Sequence, residues 1–194
     1  SADSFLTLFV GLELLSLPVY TMVMMRMLRP ESAEAALKYL VLGGTASAML
    51  LMGASLLLGA TGSLSVAAFP AGLETRTPLA TAGVLLVIAA FFLKGAVVPF
   101  HGWAPDAYQG ATLPVTAYMA AGVKAGVLLA AVRLFDGATI PALLVAPIAA
   151  LPLASMAWGN LAAIRQTSTR RMIGYSSIAH AGYLYFAFLG APEG

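Results

Sequence analysis

The chain has no cysteine, which excludes disulfides, iron–sulfur clusters and thiolate metal sites. It is also poor in charge. Only 9% of its 194 residues are Asp, Glu, Lys or Arg, whereas a soluble domain carries about a quarter. With 60% hydrophobic residues and a mean hydropathy of +0.91, this is the composition of an integral membrane protein. The net charge of +2 argues against a nucleic-acid partner, because the few basic residues sit beside apolar runs and form no patch. Histidine is scarce too: His101 and His180 lie far apart and have no partners at ligand spacing. No metal, cofactor or redox centre is therefore expected within the chain. There is no initiator Met, basic n-region or cleavage site ahead of the first apolar run, so the expectation is an internal piece of a longer membrane protein.

What the chain has is long apolar runs. Six meet the length of about 20 residues that a bilayer requires: residues 5–28, 36–58, 79–100, 114–135, 140–164 and 172–189. Apolar character continues all round each one, as in helices with lipid or other helices on every side. The polar linkers Arg29 to Glu34 and Arg165 to Arg171 are short. The expected fold is thus an all-α polytopic helical bundle, one transmembrane domain over 1–194. The stretch His101 to Leu113 reads as irregular. Arg26, Arg29, Lys38, Arg165, Arg170 and Arg171 flank the first and fifth connections, against Arg76 and Arg133 on the other side. That excess places the first, third and fifth connections in the cytoplasm.

Three charges sit inside these runs. Lys124 lies about eleven residues, roughly 16 Å, from either end of the fourth, too deep for its four-carbon stem to reach water. An ammonium at that depth costs on the order of 3 kcal/mol or more. Lys94 lies in the third run and Glu13 in the first. Small residues surround the lysines: Gly95 and Ala96, then Ala120, Ala121, Gly122, Ala125 and Gly126. Such residues let helices approach and leave room for water. Pro18 and Pro99 cannot donate to the carbonyls of Leu14 and Gly95, so each frees an oxygen one residue beyond a buried charge and predicts a broken helix near Pro99. Two lysines and one glutamate do not neutralise each other. One lysine must lose its proton, find another partner or sit in water, and groups of this kind can move charge.

Blander readings fit the same residues. Glu13, Lys94 and Lys124 could form a structural ion-pair network, and Lys94, roughly 9 Å from the end of its run, could snorkel. His180, among the hydroxyls of Tyr175, Ser176, Ser177 and Tyr183, is a candidate proton relay or a neutral core group. His101, Trp103 and Asp106 suit an interface or a helix cap, the methionines suit packing, and Gly43, Gly44 and Gly53 suit helix contacts.

Three segments carry a resemblance: Lys94-Gly-Ala-Val-Val-Pro-Phe-His-Gly-Trp-Ala-Pro-Asp-Ala-Tyr-Gln-Gly110, Val123-Lys124-Ala125, and Arg170-Arg171-Met-Ile-Gly-Tyr-Ser-Ser-Ile-Ala-His-Ala-Gly-Tyr183. With Gly11-Leu-Glu13-Leu-Leu-Ser-Leu-Pro18, they resemble the antiporter-like, proton-translocating membrane subunits of complex I, with relatives among Mrp-type cation/proton antiporters and membrane-bound hydrogenases. The resemblance implies transmembrane helices five to ten of a fourteen-helix subunit built from two inverted repeats. It implies that Glu13, Lys94 and Lys124 transfer protons across the inner (plasma) membrane. It further implies other membrane subunits as partners, with NADH, FMN, iron–sulfur clusters and quinone held by partner subunits. On the blandest alternative the chain is a membrane scaffold with inert ion pairs.

Overall fold

A computed structural model describes residues 3–25, 29–75 and 77–188, and these residues are almost entirely helical. Arg26, Arg76, the end of the first expected span (26–28) and Leu189 lie outside the described residues. Helix α1 is Phe5–Val23, with the Ser4 hydroxyl accepting from the Leu6 amide at 3.3 Å. Helix α2 is Pro30–Thr61, opened by proline in its first turn and closed by Gly62 in the left-handed region at φ 75°. Its 32 residues reach about 48 Å, well beyond the roughly 30 Å of bilayer hydrocarbon. The helix begins before the expected residue 36, and its first turns carry the charged residues Glu31, Glu34 and Lys38.

Two short helices occupy segments where the sequence suggested none. Helix α3 is Ala68–Thr75, and α5 is Trp103–Gly110 within the stretch read as irregular. In both, the proline (Pro70, Pro105) stands in the first turn. There its missing N–H has no carbonyl to lose, so proline there is compatible with a helix rather than a sign against it. Between them runs α4, Pro78–Gly95, capped by Thr77, whose hydroxyl accepts from the Ala80 amide at 3.2 Å. Helix α4 breaks sooner than Pro99 alone suggested, at Ala96, which takes φ 60°.

The fourth span, Leu113–Phe135, is continuous but not uniform. Helix α6 (Leu113–Tyr118) passes through a π turn, Met119–Val123, into α7 (Lys124–Phe135). The π turn ends at the residue before Lys124. Helix α8 is Ala142–Ile164, with Pro147 and Pro152 inside it, and α9 is Thr169–Ala187. Among the described residues, five helical segments are long and apolar enough to cross a membrane: α1, α2, α4, Leu113–Phe135 and α8. The sixth expected run does form a helix, but α9 starts with Arg170 and Arg171 and carries serines, tyrosines and a histidine, so its apolar character is weaker.

Glycine sets two of the tightest helix contacts. A Cβ on Gly53 of α2 would stand 2.8 Å from the Gly83 carbonyl of α4, and one on Gly83 would stand 3.0 Å from the Gly53 carbonyl. Likewise a Cβ on Gly182 of α9 would stand 2.6 Å from the Pro152 carbonyl of α8. Backbones this close gain dispersion contact that larger side chains would prevent. Many large apolar side chains instead face outward, among them Leu14 (68% exposed) and Ile164 (81%), as expected for surfaces covered by lipid or further helices.

The connections sort to two ends. Arg29 (first), Asp106, Gln109 and Gly110 (third) and Arg170 (fifth) line one polar pocket of about 400 Å³. At the other end Ser4 bridges to Ser65, and Arg133 contacts Asp3 at 3.0 Å. The first, third and fifth connections therefore gather at one end of the bundle, and residues of the second and fourth at the other.

Candidate functional site: a buried carboxylate, two lysines and their hydroxyls

The structure brings Glu13 and Lys94 together across the bundle. Lys94 Nζ donates to Glu13 Oε1 at 3.0 Å, with side chains only 5% and 17% exposed. Ser47 of α2 also donates to Glu13 Oε1 and lies 3.0 Å from the Gly43 carbonyl. One carboxylate oxygen thus takes a charged and a neutral donor at once. A Cβ on Gly43 would fall 2.0 Å from the Tyr20 hydroxyl, so glycine there makes room for that phenol beside the pair. Ser16, one turn on from Glu13, spends its proton on the Leu12 carbonyl at 2.7 Å.

The break in α4 aims Lys94. A helix end leaves its last carbonyls without intrahelical donors, and here two side chains and one backbone amide donate to this turn. Trp103 Nε1 donates to the Leu93 carbonyl at 3.0 Å, the Tyr185 hydroxyl to that of Phe91 at 3.0 Å, and the Val97 amide to that of Phe92 at 2.8 Å. Past the turn, the Val98 amide donates to Ser155 Oγ of α8 at 2.6 Å, and Ser155 donates onward to the Leu151 carbonyl at 3.0 Å. Gly95 is pressed against Tyr185, whose ring would lie 2.6 Å from an added Cβ. Tyr39 stacks on Trp103 with centroids 4.4 Å apart, and Tyr20 meets Tyr39 edge-on at 4.5 Å. The aromatic wall holds Trp103 over the helix end.

Lys124 has a different environment. Its ammonium donates to both the carbonyl oxygen and the Oγ of Ser177 on α9. Among the described residues no carboxylate pairs with it. Ser177 Oγ lies 3.0 Å from the Tyr108 hydroxyl, and the Tyr108 carbonyl accepts from Thr116 Oγ1 at 2.9 Å. Lys94, Trp103, Tyr108, Lys124, Ser177 and Tyr185 share one cavity of about 20 Å³. One water needs about 10–15 Å³, so this cavity has room for a single water. On its other side Lys94 borders a second space of about 10 Å³, with Ser16, Tyr20 and Tyr39.

His180 is not brought to this cluster. It is exposed, with its ring 6.2 Å from that of Tyr183. His101 follows the break, its Nδ1 buried without a hydrogen-bond partner among the described residues and its ring 6.2 Å from Trp158.

At the polar end a second network clasps three elements. Asp106 of α5 takes Lys38 of α2 at 2.8 Å and Arg171 of α9 at 2.7 Å, while Arg171 also reaches Gln109 at 3.0 Å. Arg170 donates to the Ala111 carbonyl at 2.7 Å, and Ser32 to that of Gly110 at 2.7 Å. Two arginines in the first turn of α9 oppose its helix dipole, and Asp106 supplies the missing negative charge. Burial alone would raise the Asp106 carboxyl, but the hydrogen bonds from Lys38 and Arg171 hold it below the usual carboxylate range.

Sequence reasoning found Glu13, Lys94 and Lys124 but not Ser47, Tyr108, Ser177, Ser155 or the Asp106 clasp. Tyr108 and Ser177 stood within the quoted motifs. Each is 53 or more residues from the partner that gives it meaning, so spacing along the chain carried no sign of the pairing.

The chain is also similar to known proteins. Residues 2–192 match the family described as NADH:quinone oxidoreductase/Mrp antiporter, transmembrane. The NADH-quinone oxidoreductase subunit N of Pelobacter propionicus is 44% identical over 185 residues, covering 95% of this chain and 40% of the relative. That of Myxococcus xanthus is 46% identical over 190 residues, covering 94% and 37%. These names agree with the Tyr108-Gln109-Gly110 ending, which resembles subunit N of the bacterial enzyme. Among solved structures, a chain of respiratory complex I from Thermus thermophilus with bound aureothin superposes with a TM-score of 0.82 and 41% identity, covering 96% of this chain and 40% of that one. A chain of the Mrp complex from Dietzia sp. gives 0.83 and 26% identity, covering 96% and 36%. The chain spans about two-fifths of the length of these relatives. With a family match over nearly its whole length, a bundle of apolar helices and no strand among the described residues, the chain belongs to the transmembrane family of NADH:quinone oxidoreductase and Mrp antiporter subunits.

Proposed function

We propose that this chain is the proton-carrying part of a membrane subunit of an NADH–quinone oxidoreductase, and that it moves protons without holding a redox centre. The observation that carries the reading is the shared cavity. A carboxylate-paired lysine, Lys94, and a lysine whose partners among the described residues are neutral oxygens, Lys124, face one space large enough for a water. A purely structural network has no need of the second lysine, whose charge is expensive in a membrane. Loosening the Glu13–Lys94 pair would free the Lys94 ammonium from its carboxylate partner to pass a proton toward Lys124. The energy for that change would come from quinone reduction in partner subunits, which would hold NADH, FMN, iron–sulfur clusters and quinone. On this reading the subunit lies in the inner (plasma) membrane among other membrane subunits, with the pocket-bearing end in the cytoplasm.

An Mrp-type cation/proton antiporter is the second reading, and the superposition on the Mrp complex supports it. The 44% and 46% identities to subunit N, against 26% to the Mrp chain, favour the first. The test is Lys124→Met in the complete complex, reconstituted in vesicles with a pH-sensitive dye. Methionine matches lysine in length, so the packing cost stays below about 1.5 kcal/mol. Proton translocation drops strongly while assembly and electron transfer remain measurable. Lys124→Arg does not rescue fully, because a guanidinium does not release its proton. Tolerated arginine with a damaging methionine would instead mark a structural ion pair.

A further inference from the structure

We propose that Tyr108 and Ser177 carry the proton between Lys94 and Lys124, each hydroxyl passing one proton on as it receives another. The proposal rests on the proton-translocation reading and names its inner route. Ser177 supplies both hydrogen-bond partners of the Lys124 ammonium among the described residues, its carbonyl oxygen and its Oγ. Ser177 Oγ stands 3.0 Å from the Tyr108 hydroxyl, and either oxygen can donate. Both side chains border the cavity that Lys94 and Lys124 share. Tyr185 borders it as well, but its proton is committed to the Phe91 carbonyl at 3.0 Å.

The hydroxyl pair suits a lysine that changes charge. A hydroxyl has one proton to give and two lone pairs to accept with, whereas an ammonium only donates. While Lys124 is charged it donates to Ser177 Oγ, and the Ser177 proton turns to Tyr108. Once Lys124 has given up its proton, its nitrogen accepts. Ser177 then donates to Lys124 and Tyr108 donates to Ser177. The Ser177 carbonyl holds Nζ in place while it is charged. The chain of hydrogen bonds therefore has two opposite senses, and the charge on Lys124 selects between them.

In the transfer the Lys94 ammonium gives a proton to the cavity water, and that water gives one to the Tyr108 oxygen. Tyr108 passes its own to Ser177 Oγ, and Ser177 passes its own to Lys124 Nζ. As many bonds to hydrogen form as break. Lys94 ends as an amine, Lys124 as an ammonium, and the water and both hydroxyls are restored.

The experiment uses the complete complex in vesicles, with proton uptake read against NADH oxidised. Tyr108→Phe removes one oxygen and keeps the ring. Its pumping falls to the level of Lys124→Met while electron transfer stays measurable. Ser177→Ala gives the same loss, and the double variant falls no further than either single one, because all interrupt one path. Ser177→Thr, which retains the hydroxyl, pumps better than Ser177→Ala. Should Ser177→Ala fail to assemble, Tyr108→Phe decides alone. Full pumping by Tyr108→Phe beside a defective Lys124→Met overturns the relay and leaves the proton-translocation reading intact. Equal loss with threonine and alanine at 177 also overturns it, since packing rather than the hydroxyl would then matter. Full pumping by Lys124→Met overturns the underlying reading itself.

Discussion

On the proposed reading, Glu13 and Lys94 form a buried pair that is expendable for stability yet needed for proton transfer. Their 3.0 Å contact lies out of water, so removing one partner leaves the other charge bare, at about 3–5 kcal/mol. Replacing both by neutral groups of similar size is often close to neutral. Glu13→Gln should therefore lower thermal stability of the detergent-solubilised complex. The double variant Glu13→Gln with Lys94→Met should recover most of that loss without recovering proton pumping. Stability and pumping measured on the same preparations separate the two roles, and joint recovery would sink the functional assignment. These charges were legible in the sequence because hydropathy makes a lone lysine or glutamate conspicuous. The hydroxyls were not. Ser47 and Ser177 are small, common in membrane helices and unmarked until a distant lysine or carboxylate is folded against them.

Among the elements, the broken helix α4 depends on groups borrowed from its neighbours. Ser155 of α8 is fully buried and accepts from the Val98 amide at 2.6 Å. Ser155→Ala leaves that N–H without its partner, which costs about 1–3 kcal/mol. Faster hydrogen exchange at the Val98 amide and a lower unfolding temperature are the expected results. Unchanged exchange would mean that another acceptor takes over. The sequence announced a break through Pro99, but not its position. Gly95 and Ala96 stop the helix earlier because Tyr185 fills the space beside Gly95 and Ala96 turns left-handed, both consequences of packing. The π turn at Met119–Val123 left no trace in the hydropathy, since one extra residue in a turn changes neither length nor apolar character.

For the bundle as a whole, the Asp106 clasp ties α2, α5 and α9 at the polar end. Its carboxyl titrates below the usual range when folded, so its stabilisation is fully present above about pH 4, the unfolded carboxylate value. It is lost as pH falls through the lower folded value. Thermal stability of the complex should decline over that acid window, and Asp106→Asn should flatten this part of the profile. An unchanged slope in the variant would assign acid sensitivity to other carboxylates. Sidedness is open to direct measurement because the chain lacks cysteine. Glu34→Cys, at the pocket-bearing end, should react with an impermeant thiol reagent from the cytoplasmic face, and Asp136→Cys from the opposite face. Both reacting from one face would overturn the topology. The two-ended arrangement followed from the alternation of the apolar runs, whereas the clasp needed the fold, because Lys38 and Asp106 are 68 residues apart.

The placement of the three buried charges bears on how voltage acts here. Carrying one elementary charge through the full membrane against 100 mV takes about 2.3 kcal/mol, and only displacement along the membrane normal counts. Glu13 is central in the 19 residues of α1, and Lys124 is central in the 23 residues of Leu113–Phe135. Lys94 is tied to Glu13 at 3.0 Å. On the proposed reading, a proton passing from Lys94 to Lys124 would move sideways rather than along the membrane normal, and would do little electrical work. The membrane potential would then weigh on proton uptake and release rather than on this inner hop.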